Sequence, residues 1–169
     1  MDEKAIVEQL EKNIPVFKYL LEEVPDHIYH WKPAPDKWNL LEILCHLYDE
    51  EREDFRTRVR LTLENPEQAL PTFNPLNWVT EREYSKQDYF HKLLAFLSER
   101  QNSVNWLRSL ESPNWRNAYQ HPKFGPMSAR LFLNNWLAHD YMHIRQINKN
   151  KYLYLKEHVK TGLEYAGNW

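Results

Sequence analysis

A chain of 169 residues with 42% hydrophobic and 14% aromatic residues can bury a core, and its composition is not that of a disordered protein. We expect residues 1–169 to form one domain. The formal charge of −2, with acidic and basic residues interspersed, provides no basic stripe for phosphates, so nucleic-acid binding is not expected. No apolar run reaches the roughly 20 residues that span a bilayer, so we expect a cytoplasmic protein without a membrane partner. The one cysteine excludes an internal disulfide bond.

Two amphipathic segments open the chain. Apolar residues at helical spacing predict a first helix from Asp2 to Glu23, although Pro15 removes one backbone hydrogen bond from it. The second helix is predicted from Leu40 to Leu63. Asn39 is placed to cap it, with Glu42 at the capping-box position.

A long connection separates the second helix from the third. Residues 65–84 are rich in proline and too many for a simple turn, which favours a crossover between helices that run in the same direction. The third helix is predicted at 86–110, and a fourth begins after the cap Ser128 and ends near Lys149. The tail, residues 152–169, is expected to add a short extra element. The sequence therefore predicts an all-α four-helix bundle with up-down-down-up topology.

Three histidines are candidate metal ligands. His139 and His143 are four residues apart on the fourth helix, so both side chains project from one face. His46 lies roughly 10 Å from the start of helix two, whereas His143 lies roughly 9 Å and His139 roughly 15 Å from the end of helix four. In an up-down-down-up bundle these two helices are antiparallel, which puts the three rings at one level. The alternative is that all three are solvated surface histidines.

Three acidic residues accompany the histidines. Asp140 falls on the apolar stripe of helix four, where an unpaired carboxylate is unfavourable, so it requires a partner. The ring N–H of a ligating histidine is one candidate partner, and a buried Trp or Tyr is the other. Asp49 and Glu50 could accept hydrogen bonds from the ligands or act as a general base, or they could belong to a solvated face.

The segments 37–51, with His46, and 139–147, with the later H-x-x-x-H, resemble the DinB-like (DinB/YfiT) superfamily of metalloenzymes. The Gly125 loop and the terminal residues 165–169 are also similar to that family, and the match extends over nearly the whole chain. The resemblance implies an up-down-down-up bundle that binds a zinc or nickel-type ion on His46, His139 and His143, frequently as a homodimer. Relatives include S-transferases and isomerases that use low-molecular-weight thiols.

These observations support a metal-dependent enzyme of thiol S-transferase or hydrolase type that acts on a small-molecule substrate. One divalent ion on the three histidines would lower the pKa of a bound water or of a substrate thiol. Asp140 or Asp49 would orient the ligands, and Glu50 is the candidate general base. A non-catalytic metal-binding protein, serving stress response or partner interaction, is the alternative. Three imidazoles suit zinc, nickel, copper and iron alike, so the sequence leaves the metal open.

Overall fold

The computed structural model describes residues 1–72 and 74–167, and four long helical segments make up most of it. The first is α1, Glu3–Leu21, and the second joins α3, Leu40–Asp49, through a π-helical segment, Glu50–Phe55, to α4, Arg56–Glu64. The third is α6, Tyr89–Ser109, and the fourth is α7, Ala129–His158. The shorter elements are α2, Asp26–Tyr29; α5, Pro75–Glu81; a hairpin of β1, Ala118–His121, and β2, Gly125–Ser128; and 3-10 turns at Tyr84–Lys86 and Glu164–Ala166.

Contacts near the helix ends fix the directions of the four segments. Tyr89, which begins α6, donates its hydroxyl to the carbonyl of Leu21 at the end of α1, so these helices are antiparallel. Arg130, near the start of α7, pairs with Glu3 at the start of α1, so these helices are parallel. Asn150 in α7 donates to the backbone just before α3, which makes α3 and α7 antiparallel. The predicted up-down-down-up topology is therefore confirmed.

Side-chain caps begin the helices where the sequence indicated. Asn39 and Glu42 form the predicted capping box at the start of α3, because each side chain bonds to the other's backbone N–H. The Ser128 hydroxyl accepts from a backbone N–H in the first turn of α7. The third bundle helix starts at Tyr89 and not near residue 86, since the Asp88 carboxylate caps it.

Other helix bounds differ from the prediction. α1 continues through Pro15 and ends at Leu21. α7 extends past Lys149 to His158, so the first part of the predicted tail element belongs to this helix. No glycine or proline lies between residues 150 and 158 to end it. The tail then forms a 3-10 turn at Glu164–Ala166, and its last two residues lie outside the described part of the chain.

Two features were not predicted. The sequence predicts a loop around Gly125, but the segment before α7 forms the antiparallel hairpin β1–β2, in which Gly125 has a left-handed φ of +72°. The sequence predicts one helix from Leu40 to Leu63, but the middle of this segment is π-helical at Glu50–Phe55. Single π-helical turns occur frequently at functional sites, and this one directly follows the helix that contains His46.

The core consists of two apolar clusters joined by polar side chains. One cluster surrounds Phe17, Leu44 and Phe96, and the other surrounds Val59 and Trp136. The predicted crossover contributes to the first cluster through the buried side chains of α5 and the following 3-10 turn. Among the described helices, none is both long and apolar enough to cross a membrane.

Candidate metal centre

The structure brings the rings of His46, His139 and His143 together. His46 is on α3, and the other two are one turn apart on the antiparallel helix α7. The Nε2 atom of His139 lies 3.2 Å from Nε2 of His46 and 3.0 Å from Nε2 of His143. Two nitrogens bound tetrahedrally to zinc at 2.0–2.1 Å are about 3.3 Å apart. The three nitrogens are therefore spaced to hold one ion.

Burial makes the solvated-surface alternative untenable for two of these side chains. His46 is 6% exposed and His143 is 8% exposed, and His139 is partly buried between them. Trp38 packs with its ring centroid 4.8 Å from that of His46, and Phe55 lies 4.9 Å from His139. Aromatic packing therefore fixes the planes of two of the three imidazoles.

The same burial keeps the imidazoles neutral. Desolvation, together with repulsion from His143, lowers the pKa of His46 to about 3. Desolvation also lowers the pKa of His143 to about 4, and it holds the pKa of His139 well below its usual range. A histidine binds a metal ion only as the neutral base, so at pH 7 protons do not compete with the ion. The donor set thus fits a divalent cation both in spacing and in protonation.

The outer nitrogens of two rings lack the support that the sequence suggested. Nδ1 of His46 and Nδ1 of His143 are buried and have no hydrogen-bond partner within residues 1–72 and 74–167. Metal-bound histidines usually donate this N–H to a carboxylate or a carbonyl. The predicted roles of Asp140 and Asp49 as direct hydrogen-bond partners of these rings therefore do not match the geometry.

Asp140 instead forms hydrogen bonds on both of its oxygens in the core. Its carboxylate accepts from Arg100 Nη1 at 2.6 Å, from Arg100 Nη2 at 2.7 Å and from Asn13 Nδ2 at 2.8 Å. The sequence predicts a ligating histidine, or a buried Trp or Tyr, as the partner of Asp140. The structure shows Arg100 and Asn13 in that place. The bidentate guanidinium satisfies the charge that a neutral ring N–H would have left uncompensated.

Arg100 also holds a second buried carboxylate. Its Nε atom lies 3.0 Å from each oxygen of Glu51, and the indole N–H of Trp136 donates to Glu51 at 2.9 Å. We call Asn13, Glu51, Arg100 and Asp140 the core polar network. Its four members come from α1, the π-helical segment, α6 and α7, so it ties all four bundle segments together. Because Asp140 lies between His139 and His143, the network also fixes the helix that presents two of the imidazoles.

The spacing that singled out Asp140 could have found the rest of this network. Glu51 lies four residues from both Leu47 and Phe55, and Arg100 lies four residues from both Phe96 and Val104. A charge in the middle of an apolar stripe needs a buried partner of opposite charge. Three charged residues at such positions, on three helices, indicate a shared ion-pair network.

Asp49 lies outside the imidazole cluster. Its carboxylate accepts from the Tyr84 hydroxyl at 2.7 Å and pairs with Arg82 at 2.9 Å. Its structural role is to join the π-helical region to the crossover segment.

Glu50 is buried, and its carboxyl group is not among the three converging ligand groups. Desolvation, and then the adjacent carboxylate of Asp54, raise the pKa of Glu50 to about 9. This shift favours the protonated form of the Glu50 carboxyl, whereas a general base must be deprotonated.

A cavity of about 500 Å³ opens beside the imidazoles. The side chains that line it all come from one face of α7: His139, Met142, His143, Arg145, Gln146 and Lys149. The candidate metal centre can therefore be reached from outside the bundle by a small molecule.

A four-helix bundle in which three neutral imidazoles converge beside an open cavity has the features of a metal-binding site. The family model of the DinB superfamily matches residues 9–147, which include all three histidines. The chain belongs to the DinB superfamily, as the resemblance indicated.

The fold is also similar to that of a solved protein, YfiT from Bacillus subtilis. The TM-score is 0.77 at 17% sequence identity, and the match covers 88% of this chain and 85% of YfiT. YfiT is described as a probable metal-dependent hydrolase with an unusual four-helix bundle topology. No curated protein matches the chain.

Proposed function

We propose that this protein is a metal-dependent enzyme, of hydrolase or thiol S-transferase type, whose single divalent ion is bound by His46, His139 and His143. The observation on which this proposal depends is the convergence of three neutral imidazole nitrogens at the edge of a cavity. When bound, such an ion lowers the pKa of a coordinated water or thiol and so supplies a nucleophile near pH 7.

The surrounding residues support catalysis over a purely structural metal. A structural zinc site is usually closed by four protein ligands, whereas catalytic sites have three and leave a position for water or substrate. Only these three histidines form a cluster that could hold a metal among the residues that the structure describes. The cavity beside them gives a substrate access to that position.

Each neighbouring group has a definite task in this proposal. The three imidazoles donate their lone pairs without first losing a proton. Trp38 and Phe55 hold two of the rings by packing. The core polar network keeps α7 in register with α3, so that ligands from both helices meet. Zinc and nickel are the ions that we expect, and a low-molecular-weight thiol is a candidate co-substrate.

Metal content tests the ligand assignment. The purified wild-type protein should contain about one divalent ion per chain by elemental analysis, and His46→Ala, His139→Ala and His143→Ala should each lose most of it. His91→Ala is the matched control, because His91 is exposed on α6 and should leave the metal content unchanged. Full metal content in the His143→Ala protein would overturn the assignment.

Activity then separates enzyme from metal-binding protein. The metal-loaded protein is assayed against a panel of esters, amides and electrophiles with added thiols, and chelation should abolish turnover. If the ion only supports the fold, chelation should instead melt the helices, which circular dichroism would reveal.

A further inference from the structure

The cavity beside the imidazoles has an unbalanced charge. Arg145 and Lys149 lie on its wall, and no carboxylate lines it within the described part of the chain. Both side chains are exposed, and neither forms an ion pair with any residue in 1–72 or 74–167. Most other arginines of the chain are paired with a carboxylate, for example Arg82 with Glu53. Arg145 therefore differs from most arginines of the chain, and Lys149 adds a second positive charge to the same wall of the cavity.

Arg145 and Lys149 are placed to contact a small molecule that is bound at the candidate metal centre. Arg145 is two residues after His143, and Lys149 is six residues after His143. These separations correspond to rises of about 3 and 9 Å along the helix axis. Arg145 and Lys149 give this wall of the cavity a positive charge. A bound divalent ion would increase it further. An anion in the cavity would thus be attracted by the bound ion on one side and by Arg145 and Lys149 on the other.

We propose, on the basis of the proposed function, that the substrate has an anionic group, such as a carboxylate or sulfonate, bound by Arg145 and Lys149. Its reacting group then lies at the open metal position next to His139 and His143. The guanidinium offers paired N–H donors that suit a planar or tetrahedral oxyanion, and the ammonium adds a second charge. The specificity of the enzyme for anionic small molecules resides in these two residues.

Small thiols of different charge test this proposal by binding alone. The cobalt-substituted protein is titrated with 3-mercaptopropionate and 2-mercaptoethanesulfonate, which are anionic, with neutral 2-mercaptoethanol and with cationic cysteamine. The sulfur-to-cobalt absorption band reports each dissociation constant. Each value is compared with that of the Arg145→Gln/Lys149→Gln protein, so that differences in thiol acidity cancel.

The two anionic thiols should bind more tightly to the wild-type protein than to the double variant. Each single variant, Arg145→Gln or Lys149→Gln, should weaken binding of the anionic thiols about twofold to fivefold, as expected for the loss of one exposed ion pair. Affinity for 2-mercaptoethanol should not change, and Arg145→Glu/Lys149→Glu should favour cysteamine. Raising the salt concentration should reduce the preference for anions.

Arg116→Gln is the matched control, because Arg116 is another arginine without an ion pair in the described chain but does not line this cavity. It should bind all four thiols as the wild type does. Equal affinities of the anionic thiols for wild-type protein and double variant would overturn the proposal, as would an equal loss for 2-mercaptoethanol. If cobalt does not bind and no ligand-field spectrum forms, the proposed function itself fails, and that outcome is distinct from metal binding without anion preference.

Discussion

Replacing Arg100 by methionine should destabilise the fold more than any other single change in the core polar network. The guanidinium lies between Glu51 and Asp140, whose side chains are 1% and 0% exposed. Without it, two carboxylates remain buried with only Trp136 and Asn13 as donors. Removing one partner of a buried ion pair costs about 3–5 kcal/mol, and here two partners are left unpaired. We expect a loss of about 5 kcal/mol or more.

Asp140→Asn should lower the free energy of unfolding by less than Arg100→Met does, although Asp140 is in contact with Arg100. After this change one carboxylate, that of Glu51, still faces the one guanidinium, so no net charge remains buried in the network. The charge assistance of the bonds from Arg100 and Asn13 is lost, and the new amide places a donor against donors. A loss of about 2–3 kcal/mol is expected.

Urea unfolding of the metal-free protein, followed by circular dichroism, measures both values. Arg108→Met is the matched control: Arg108 is on the same helix and pairs with Glu11 at the surface. It should cost at most about 1 kcal/mol. The reasoning is refuted if Arg100→Met unfolds within 1 kcal/mol of the control, or if Asp140→Asn is the more damaging change.

Three further predictions concern the cap and the titrating groups. Asn39→Ala removes the capping box of α3 and should lower the free energy of unfolding by about 1 kcal/mol in urea titrations, with the exposed change Asn105→Ala as control. Glu50→Gln should stabilise the protein at pH 8 but not at pH 4. Because the pKa of Glu50 is raised in the folded state, the wild-type protein loses stability as the pH rises from the pKa of the unfolded state toward about 9. Equal urea midpoints for wild type and Glu50→Gln at pH 8 would contradict the buried protonated state. In the metal-free protein the lowered pKa values of the clustered histidines should reduce stability as pH falls from about 6.5 toward 4, by at most about 1.4 kcal/mol per pH unit for each histidine. His143→Phe should make that slope shallower, and an unchanged slope in pH-dependent urea unfolding would show that His143 is protonated in the folded state.

Much of the candidate site could be derived from the chain alone. The two histidines four residues apart share a helix face, and the axial positions of His46, His139 and His143 match only if their helices are antiparallel. That condition follows from the long connection at residues 65–84, and the structure meets it. The helix starts at Asn39 and Ser128 were also found, because a cap is a bond between residues three apart.

The partners of buried charges could not be derived in the same way. Asp140 was recognised as needing a partner, but its bonds reach Asn13, 127 residues away, and Arg100, 40 residues away. The choice among such partners depends on which side chains the packed helices place opposite one another. The π-helical turn was missed as well, since its i→i+5 bonds leave no separate spacing in the sequence.

By itself the sequence determined the four long helical segments, the caps Asn39 and Ser128, the order of the helix directions and the level at which three histidines meet. These properties depend on local hydrogen bonds and on the period of the helix, which residues close in the chain decide. Tertiary structure alone decided that Arg100 pairs with Glu51 and Asp140, that the imidazoles are buried and neutral, and that Arg145 and Lys149 share a cavity with them. Pairing and protonation depend on desolvation, and desolvation exists only once distant helices have packed.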